Sequence, residues 1–256
     1  MALNLVMLGP PGAGKGTQAE RFAREHGIPK VSTGDILREA VHSDSELGRA
    51  VKAVMERGEL VGDDLIIGIV RERLMRPDAQ AGFVLDGFPR TATQATALDE
   101  ITASRGPVIC VEIQVPDEEL VRRVRGRRVC DDCGANADAF ETKADALSDL
   151  CQNTERCRSI GPKWVARSDD SETVVRERLK IYWRDTRPMI EYYSARPTFR
   201  VIDGLQSPEQ VREALVGAVA SALGLPAAQL PSMVAQKLGG DAAPPRGARS
   251  KNGAQA

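Results

Sequence analysis

Near its start, this 256-residue chain reads GPPGAGKGTQ over residues 9–18, and that stretch decides the fold. It follows a short apolar run, Leu3 to Leu8, and leads into residues that suit a helix, so the sequence predicts a strand, a glycine-rich loop and a helix in succession. Glycines let several backbone N–H groups converge on one anion, the start of the helix adds its dipole, and Lys15 supplies a mobile cation. The stretch therefore predicts a phosphate-binding site.

The loop departs from the general phosphate-loop pattern G-x-x-x-x-G-K-[ST] at one position. Gly9 to Lys15 match the pattern, but Gly16 stands where a hydroxyl residue is expected, and Thr17 follows one place later. The alternative to a phosphate site is a plain glycine turn at the end of a strand. A lysine in register and a helix directly after it favour the phosphate site.

The composition excludes several classes of function. Lys and Arg number 35 against 36 Asp and Glu, so no general electrostatic attraction to nucleic acid or to an anionic membrane is expected. The first apolar run is too short to span a membrane and has no basic lead-in, which predicts a cytoplasmic protein without signal peptide or anchor. Four of the five cysteines lie between Cys130 and Cys157, and in a reducing compartment such crowding favours a metal site over disulfides.

Short apolar runs alternate with helical patterns along most of the chain. This alternation predicts an α/β fold with three layers, in which a mostly parallel five-stranded sheet carries helices on both faces. The five predicted strands are Leu3–Leu8, residues 29–32, 83–85 and 107–115, and residues 198–204. Ligands gather at the carboxyl ends of such strands, so Asp86 and Arg90 are candidates for metal and phosphate contact.

Several local predictions can be made inside this frame. Ser32 or Thr33 is expected to cap the helix after the second strand, and Asp63 to cap the helix over residues 63–75. A long helix is expected from Arg167 to about residue 193, bent by Pro188. Both histidines, His26 and His42, are predicted at the surface, and Cys110 is predicted as an inert core residue.

The α/β pattern is lost from Gly126 to Ala166, which predicts a small inserted lobe. The core domain would then comprise residues 1–125 and 167–223. Beyond Gly224 the chain turns to Ala, Pro, Gly, Gln and basic residues, so residues 224–256 are predicted to form a disordered tail.

Five separated motifs give the chain its family resemblance: residues 9–18, STGDILR at 32–38, GFVLDGFPRT at 82–91, GRR at 126–128, and RSDD at 167–170 followed by Arg178. In this order they resemble the adenylate kinases of the long-lid bacterial type. The resemblance implies a P-loop fold with an inserted lid and AMP-binding helices near residues 32–61. It also implies reversible, Mg²⁺-dependent transfer of a phosphoryl group from ATP to AMP by a monomer, with lid closure excluding water and ATP, AMP and ADP as the only partners.

The resemblance also assigns roles to individual residues. The ATP phosphates would be held by Gly12, Ala13, Gly14, Lys15, Gly16 and Thr17. AMP would be held by Thr33, Arg38, Glu59, Leu60, Val61, Gly87, Arg90, Gln94, Arg167 and Arg178. The transfer itself would depend on Lys15, Asp86, Arg90, Arg123, Arg127, Arg167 and Arg178. Asp86 would reach Mg²⁺ through its waters, and Asp35 is a second candidate for that contact.

Two other functions remain open. A kinase for CMP or UMP is the nearer alternative, but Thr33 and the long lid favour AMP, and the amide of Gln94 suits the adenine edge because it donates and accepts at once. A P-loop ATPase module is the other alternative. The acceptor-side motifs, 33–38 and 86–90, argue against it because a simple ATPase does not need them.

The lid cysteines follow the pattern C-x2-C-x17-C-x5-C. The first pair, Cys130 and Cys133, has the spacing of a zinc knuckle, whereas the second pair, Cys151 and Cys157, is stretched. Four thiolates could hold a structural Zn²⁺, or Cys151 could act with another ligand such as Glu155. The alternative is a lid held by packing alone, with reduced cysteines.

Overall fold

The computed structural model describes residues 2–42, 46–57, 59–132, 135–138, 155–161, 163–167 and 169–230. In chain order, its first elements are β1 (Leu3–Leu8), α1 (Lys15–His26), β2 (Lys30–Ser32), α2 (Thr33–His42), α3 (Glu46–Glu56), α4 (Asp63–Met75), β3 (Gly82–Asp86), α5 (Ala92–Thr102), β4 (Val108–Gln114) and α6 (Asp117–Gly126). There follow β5 (Arg127–Cys130), β6 (Asn136–Asp138), α7 (Glu155–Ile160), β7 (Trp164–Val165), α8 (Glu172–Ile181), α9 (Arg187–Ser194), β8 (Phe199–Asp203) and α10 (Pro208–Ala222).

The predicted five-stranded parallel sheet is confirmed, in the order β2-β3-β1-β4-β8. β1 is the central strand, and all of its residues are buried because the sheet is covered on both faces. Leu3, Leu5 and Met7 contribute to the hydrophobic core on one side. Val6 and Leu8 contribute to the core on the other. This burial on both faces is why the strand is apolar at every position except Asn4, whose Nδ2 donates to the carbonyl oxygen of Arg105 at 3.3 Å.

The sheet places the loop after β1 beside the carboxyl ends of its neighbours. Met7 is in register with Asp86 of β3, and Asp86 is in register with Ser32 of β2. On the other side of β1, Leu8 is in register with Glu112 of β4. The phosphate loop and the end of β3 therefore meet at one edge of the sheet.

The prediction for His26 is wrong. Its side chain lies in the core at 5% exposure, where the ring stacks on Phe22 with centroids 4.0 Å apart, and Nδ1 donates to the carbonyl oxygen of Phe22 at 2.9 Å. The side chain of His42 lies outside the described residues. Cys110 is buried as predicted, and burial raises the pKa of its thiol to about 12, which leaves it protonated and unreactive.

The predicted long helix is divided. Ser171 caps its true start by accepting from the N–H of Val174, so α8 begins five residues after Arg167. A π-helical turn, Tyr182–Thr186, separates α8 from α9. Pro188 follows in the first turn of α9, where its missing N–H is tolerated. The interruption of the predicted helix therefore lies in the π turn ahead of the proline.

The segment predicted to form an inserted lobe has a sheet of its own. β5 is the central strand and pairs antiparallel with β6 and with β7. Cys130 and Cys157 are buried beside it, with Ala135 and Trp164 packed against them. This small core is separate from the two cores of the main sheet.

The packed chain extends past the predicted boundary at residue 223. A short 3₁₀ helix, Ala227–Gln229, follows α10, and Leu230 is 1% exposed within the core that also contains Leu215 and Val219. The rest of the predicted tail, residues 231–256, lies outside the described residues. Among the helices described, none combines the length and apolar character that crossing a membrane requires.

Candidate active site

The glycine-rich loop wraps the start of α1. Gly14 occupies the N-cap position with φ of 92°, and no side chain of the described residues caps the helix there. The first N–H groups of α1 are therefore available to an anion. Gly12, with φ of 87°, packs against α6 so closely that a Cβ would lie 2.8 Å from Cγ2 of Val124. The loop conformation requires glycine at both positions.

Lys15 is the first residue of α1, directly after the loop. Its Nζ donates to the carbonyl oxygen of Pro10 at 2.8 Å. Burial and the charges of Arg90 and Arg127 lower the pKa of Lys15 to about 8, although the nearby carboxylate of Asp86 opposes that change. An anion bound in the loop would stabilise the protonated, charged form of this lysine.

Asp86 lies against the unusual glycine after Lys15. Its Oδ2 lies 3.1 Å from the point where a Cβ on Gly16 would be built. A side chain at position 16 would crowd this carboxylate, which favours glycine there. The arrangement places a carboxylate oxygen directly beside the phosphate loop.

The acceptor side of the predicted site is organised around Gly87. The carbonyl oxygen of Gly87 accepts from Oγ1 of Thr33 at 2.9 Å and from Nε of Arg90 at 2.8 Å. Gly87 has φ of 81°, and a Cβ there would lie 2.9 Å from Nη2 of Arg90 and 3.0 Å from Oγ1 of Thr33. Ser32 is the residue that caps α2, by accepting from the N–H of Asp35, which leaves Thr33 for this contact.

Gln94 lies in the first turn of α5, four residues after Arg90, and is 2% exposed. Its Oε1 accepts from the backbone N–H of Arg90 at 2.8 Å, and its Nε2 donates to Oδ1 of Asp63 at 2.8 Å. The prediction that Asp63 caps α4 is wrong, since Gly62 occupies the N-cap position. The carboxylate reaches across to α5, where its Oδ2 also accepts from Oγ1 of Thr91.

The predicted arginines other than Arg123 lie within electrostatic range of one another, and carboxylates compensate part of their charge. Arg127 pairs with Asp170, and its Nε donates to Oδ2 of that residue at 2.7 Å. Arg178 pairs with Asp169, which also lies 3.9 Å from Nη1 of Arg38. The RSDD motif thus supplies two carboxylates to which no role was assigned from the sequence.

Burial and neighbouring charges shift the pKa values of this cluster. Burial, with the neighbouring Arg127 and Arg38, lowers the pKa of Arg167 to about 10, and burial with Arg178 and Arg38 lowers that of Arg90. Burial alone would raise the pKa of Asp169, but the charge and hydrogen bond of Arg178 outweigh it and lower that pKa. The site is therefore strongly cationic where the nucleotide phosphates are expected.

Other predicted residues have different surroundings. Nε of Arg123 donates to Oε1 of Glu119, one turn earlier on α6, at 2.7 Å. Arg167 donates to Oδ1 of Asn136 at 2.8 Å. Asp35 pairs with Lys30 and Arg38, which outweigh its burial and lower its pKa to about 2. The segment Glu59–Val61 connects α3 to α4.

The predicted metal site is described in part. Sγ of Cys130 and Sγ of Cys157 lie 3.6 Å apart, too far for a disulfide bond between them. Asp132, which was not predicted, completes a group whose ligand atoms all lie within 4.8 Å of one another. The other two predicted ligands, Cys133 and Cys151, lie outside the described residues.

The chain is similar in sequence to proteins of a known family. A family model described as Adenylate kinase matches residues 7–198. An adenylate kinase of Archaeoglobus fulgidus is 44% identical over 211 residues, which cover 82% of this chain and 94% of that protein. The adenylate kinase of Rhizobium etli strain CFN 42 is 44% identical over 214 residues, covering 82% and 95%. That of Kosmotoga olearia is 45% identical over 215 residues, covering 82% and 96%.

The fold and the site together define a P-loop phosphotransferase with a cluster of arginines beside its phosphate loop. With the family model and these relatives, the chain belongs to the adenylate kinase family. The prediction from the sequence motifs is confirmed: the chain transfers a phosphoryl group from ATP to AMP and forms two ADP. Adenylate kinases use Mg²⁺ with ATP.

Proposed function

We propose that ATP and AMP meet at the carboxyl edge of the sheet, with the ATP phosphates in the loop at residues 9–17 and AMP beside Gly87. The observation that carries this assignment is the position of Lys15. Its Nζ donates to the carbonyl oxygen of Pro10 in the loop at 2.8 Å, and the next residue, Gly16, lies beside Asp86, which directly precedes Gly87. The phosphate loop and the acceptor side are therefore adjacent at this lysine.

Phosphoryl transfer depends more on placing the two nucleotides and compensating their charge than on covalent catalysis. Negative charge spreads over the equatorial oxygens of the transferred group, where guanidinium forks and an ammonium group stabilise it. We assign this role to Lys15, Arg90, Arg127, Arg167 and Arg178, with Arg123 on the flanking helix. The AMP phosphate enters as an anion, so no catalytic base is needed. Before nucleotides bind, Asp169 and Asp170 compensate part of the arginine charge.

The base and sugar side of AMP is assigned to the residues around Gly87. Thr33, Arg38 and the backbone of residues 59–61 line this side, and Gln94 recognises the adenine edge. Within the described part of the chain, Gln94 makes one hydrogen bond with its Oε1 and one with its Nε2, so its amide retains one N–H and one lone pair. An amide with both functions suits adenine, which presents an acceptor at N1 and a donor at its 6-amino group.

The residues beside the loop fit a magnesium ion. Asp86 brings a carboxylate oxygen next to Gly16, and Mg²⁺ in proteins is held by one or two carboxylates, by waters and by the phosphates of the substrate. Asp86 would hold the ion through its waters. When bound, Mg²⁺ neutralises charge on the phosphates and orients them. Asp35, paired with Lys30 and Arg38, is the weaker candidate.

We assign residues 126–166 to a lid between the two parts of the core domain, residues 1–125 and 167–230. Arg127 and Arg167 lie at its two ends, so closure over ATP would bring both toward the phosphates. Closure would also exclude water, which competes with AMP for the phosphoryl group.

The lid residues also fit a structural zinc ion. Two sulfurs bound at 2.3 Å to one tetrahedral ion lie about 3.8 Å apart, close to the 3.6 Å between Cys130 and Cys157. Oδ2 of Asp132 is buried and accepts no hydrogen bond within the described part of the chain, while Oδ1 pairs with Arg156 at 2.8 Å. We propose that these three residues bind zinc, with Cys133 or Cys151 as the fourth ligand.

The nucleotide assignment is tested by offering Mg·ATP with AMP, CMP, UMP or GMP singly, and Mg·ATP alone as the control. We expect rapid ADP formation with AMP, two ADP for each AMP consumed, and little product in the other mixtures. A preference for CMP or UMP would make this chain a pyrimidine nucleotide kinase. Equal ADP formation from ATP alone would make it an ATPase.

A further inference from the structure

We propose that Asp63 is a positioning residue that fixes the amide of Gln94 in one orientation, and that this orientation makes the acceptor site select adenine over a 6-oxopurine. The inference rests on the proposed role of Gln94 in binding the base. It adds a specificity determinant from α4 to the residues expected on α2 and α5.

The evidence is a closed set of hydrogen bonds at the start of α5. Asp63 accepts from Nε2 of Gln94 with Oδ1 and from Oγ1 of Thr91 with Oδ2, both at 2.8 Å. Oγ1 of Thr91 accepts from the backbone N–H of Gln94 at 3.2 Å and so caps the helix. The carboxylate therefore holds the side chain of Gln94 directly and its backbone through the cap.

These contacts define which end of the amide is oxygen. An ionised carboxylate only accepts hydrogen bonds, and the backbone N–H of Arg90, which Oε1 of Gln94 accepts, only donates. Rotating the amide by half a turn would set oxygen against the carboxylate and nitrogen against the N–H of Arg90. Gln94 is 2% exposed, so water would not repair either contact.

A fixed amide distinguishes purines by their hydrogen-bonding edge. Adenine has an acceptor at N1 and a donor at the 6-amino group, whereas hypoxanthine has a donor at N1 and an acceptor at the 6-oxo group. The fixed amide can donate to N1 of adenine and accept from its 6-amino group. If hypoxanthine takes the same position, the amide N–H faces the N1–H of the base and the amide oxygen faces its 6-oxo group. An amide free to rotate would suit both bases.

The position of Asp63 supports this role. It lies two residues after the segment Glu59–Val61, which is assigned to AMP, so one carboxylate ties that segment to Gln94. Its neighbour Asp64 is exposed on the same helix, and no contact with α5 is described for it. Asp64 therefore offers a matched control, with the same charge removed from the adjacent position.

The test compares AMP with inosine monophosphate as acceptors, at saturating Mg·ATP, in the wild type and in Asp63→Ala, Asp63→Asn and Asp64→Ala. We expect Asp63→Ala to lower the ratio of kcat/KM for AMP to that for inosine monophosphate by about tenfold or more, mainly through KM. Asp63→Asn keeps an acceptor and should retain an intermediate ratio. Asp64→Ala should leave the ratio and the KM for ATP unchanged.

A purely structural role for Asp63 would give a different result. Loss of folded protein lowers both activities in proportion, so an unchanged ratio in Asp63→Ala, with a lower Tm, would overturn the inference. Gln94→Ala separates this failure from that of the proposed function. If Gln94→Ala changes the ratio and Asp63→Ala does not, only the inference about Asp63 fails; if Gln94→Ala leaves the KM for AMP unchanged, the base-binding role of Gln94 fails with it.

Discussion

The donor and acceptor halves of the site are built in different ways. The donor half, residues 9–17, is one continuous loop in which backbone N–H groups and helix α1 do most of the work and Lys15 is the main side chain. The acceptor half takes residues from the starts of α2, α4 and α5. Side-chain hydrogen bonds, such as those of Thr33, Asp63 and Arg90, hold those segments together.

The difference suggests how each half responds to mutation. A backbone site is insensitive to most side-chain changes but depends fully on its glycines and on its one cation. A side-chain site depends on pairs, so removing one partner leaves another buried polar group unsatisfied. We therefore expect the two halves to fail separately, one through the transfer of phosphate and the other through the affinity for AMP.

The largest effect is expected from Lys15→Met. The variant keeps the length of the side chain but removes the cation from the phosphate site, and loss of one such electrostatic group lowers kcat by about 100- to 1,000-fold. Steady-state rates measure this, and the dissociation constant for AMP should change little. Lys180→Met, at an exposed lysine on α8, is the control and should retain wild-type activity. A Lys15→Met enzyme with more than a tenth of the wild-type kcat would contradict the account.

Zinc removal tests a region that belongs to neither half. If zinc joins β5 to α7, chelation should lower Tm by several degrees, because a structural metal contributes folding free energy directly. Purified protein should hold one zinc per chain, and Cys157→Ser should hold none. Cys110→Ala, in the core of the main sheet, should keep the metal. Protein without zinc, whose Tm does not respond to a chelator, would remove the metal from the lid.

A smaller effect is expected from Gly87→Ala. The added Cβ would lie 2.9 Å from Nη2 of Arg90 at a φ of 81°, so Arg90 must move and the backbone is strained. We expect the KM for AMP to rise about tenfold and the free energy of unfolding to fall by about 1–3 kcal/mol. The control is Gly217→Ala in α10, whose Cβ would contact nothing within 4 Å and should stabilise the helix slightly. An unchanged KM for AMP would show that the carbonyl and guanidinium at this turn do not bind AMP.

The same contrast explains what the sequence could predict. The loop at residues 9–18 and the buried strand β1 depend on neighbours in the sequence, and both are visible in its local pattern. The pairing of Asp63 with Gln94 joins residues 31 positions apart, so no local pattern indicates it. Asp63 could be predicted only as a helix cap, which is its usual role at a helix start.

Two other residues show different reasons for a missed prediction. His26 follows Ala19, Phe22 and Ala23 at helical spacing, so the apolar stripe of α1 indicates its burial, whereas the polarity of histidine favours a surface position. Asp132 lies between the two cysteines of the first knuckle. Its approach to Cys157 depends on the fold of the lid, which brings residues distant in sequence together.

The central claim is that ATP and AMP occupy separate halves of one site, and Gln94→Leu tests it most directly. The substitution removes the amide from the acceptor half and leaves residues 9–17 untouched. Initial rates over a grid of ATP and AMP concentrations give both KM values for the variant and the wild type. The account predicts a KM for AMP raised about tenfold or more with the KM for ATP unchanged. An equal rise in both KM values would contradict it.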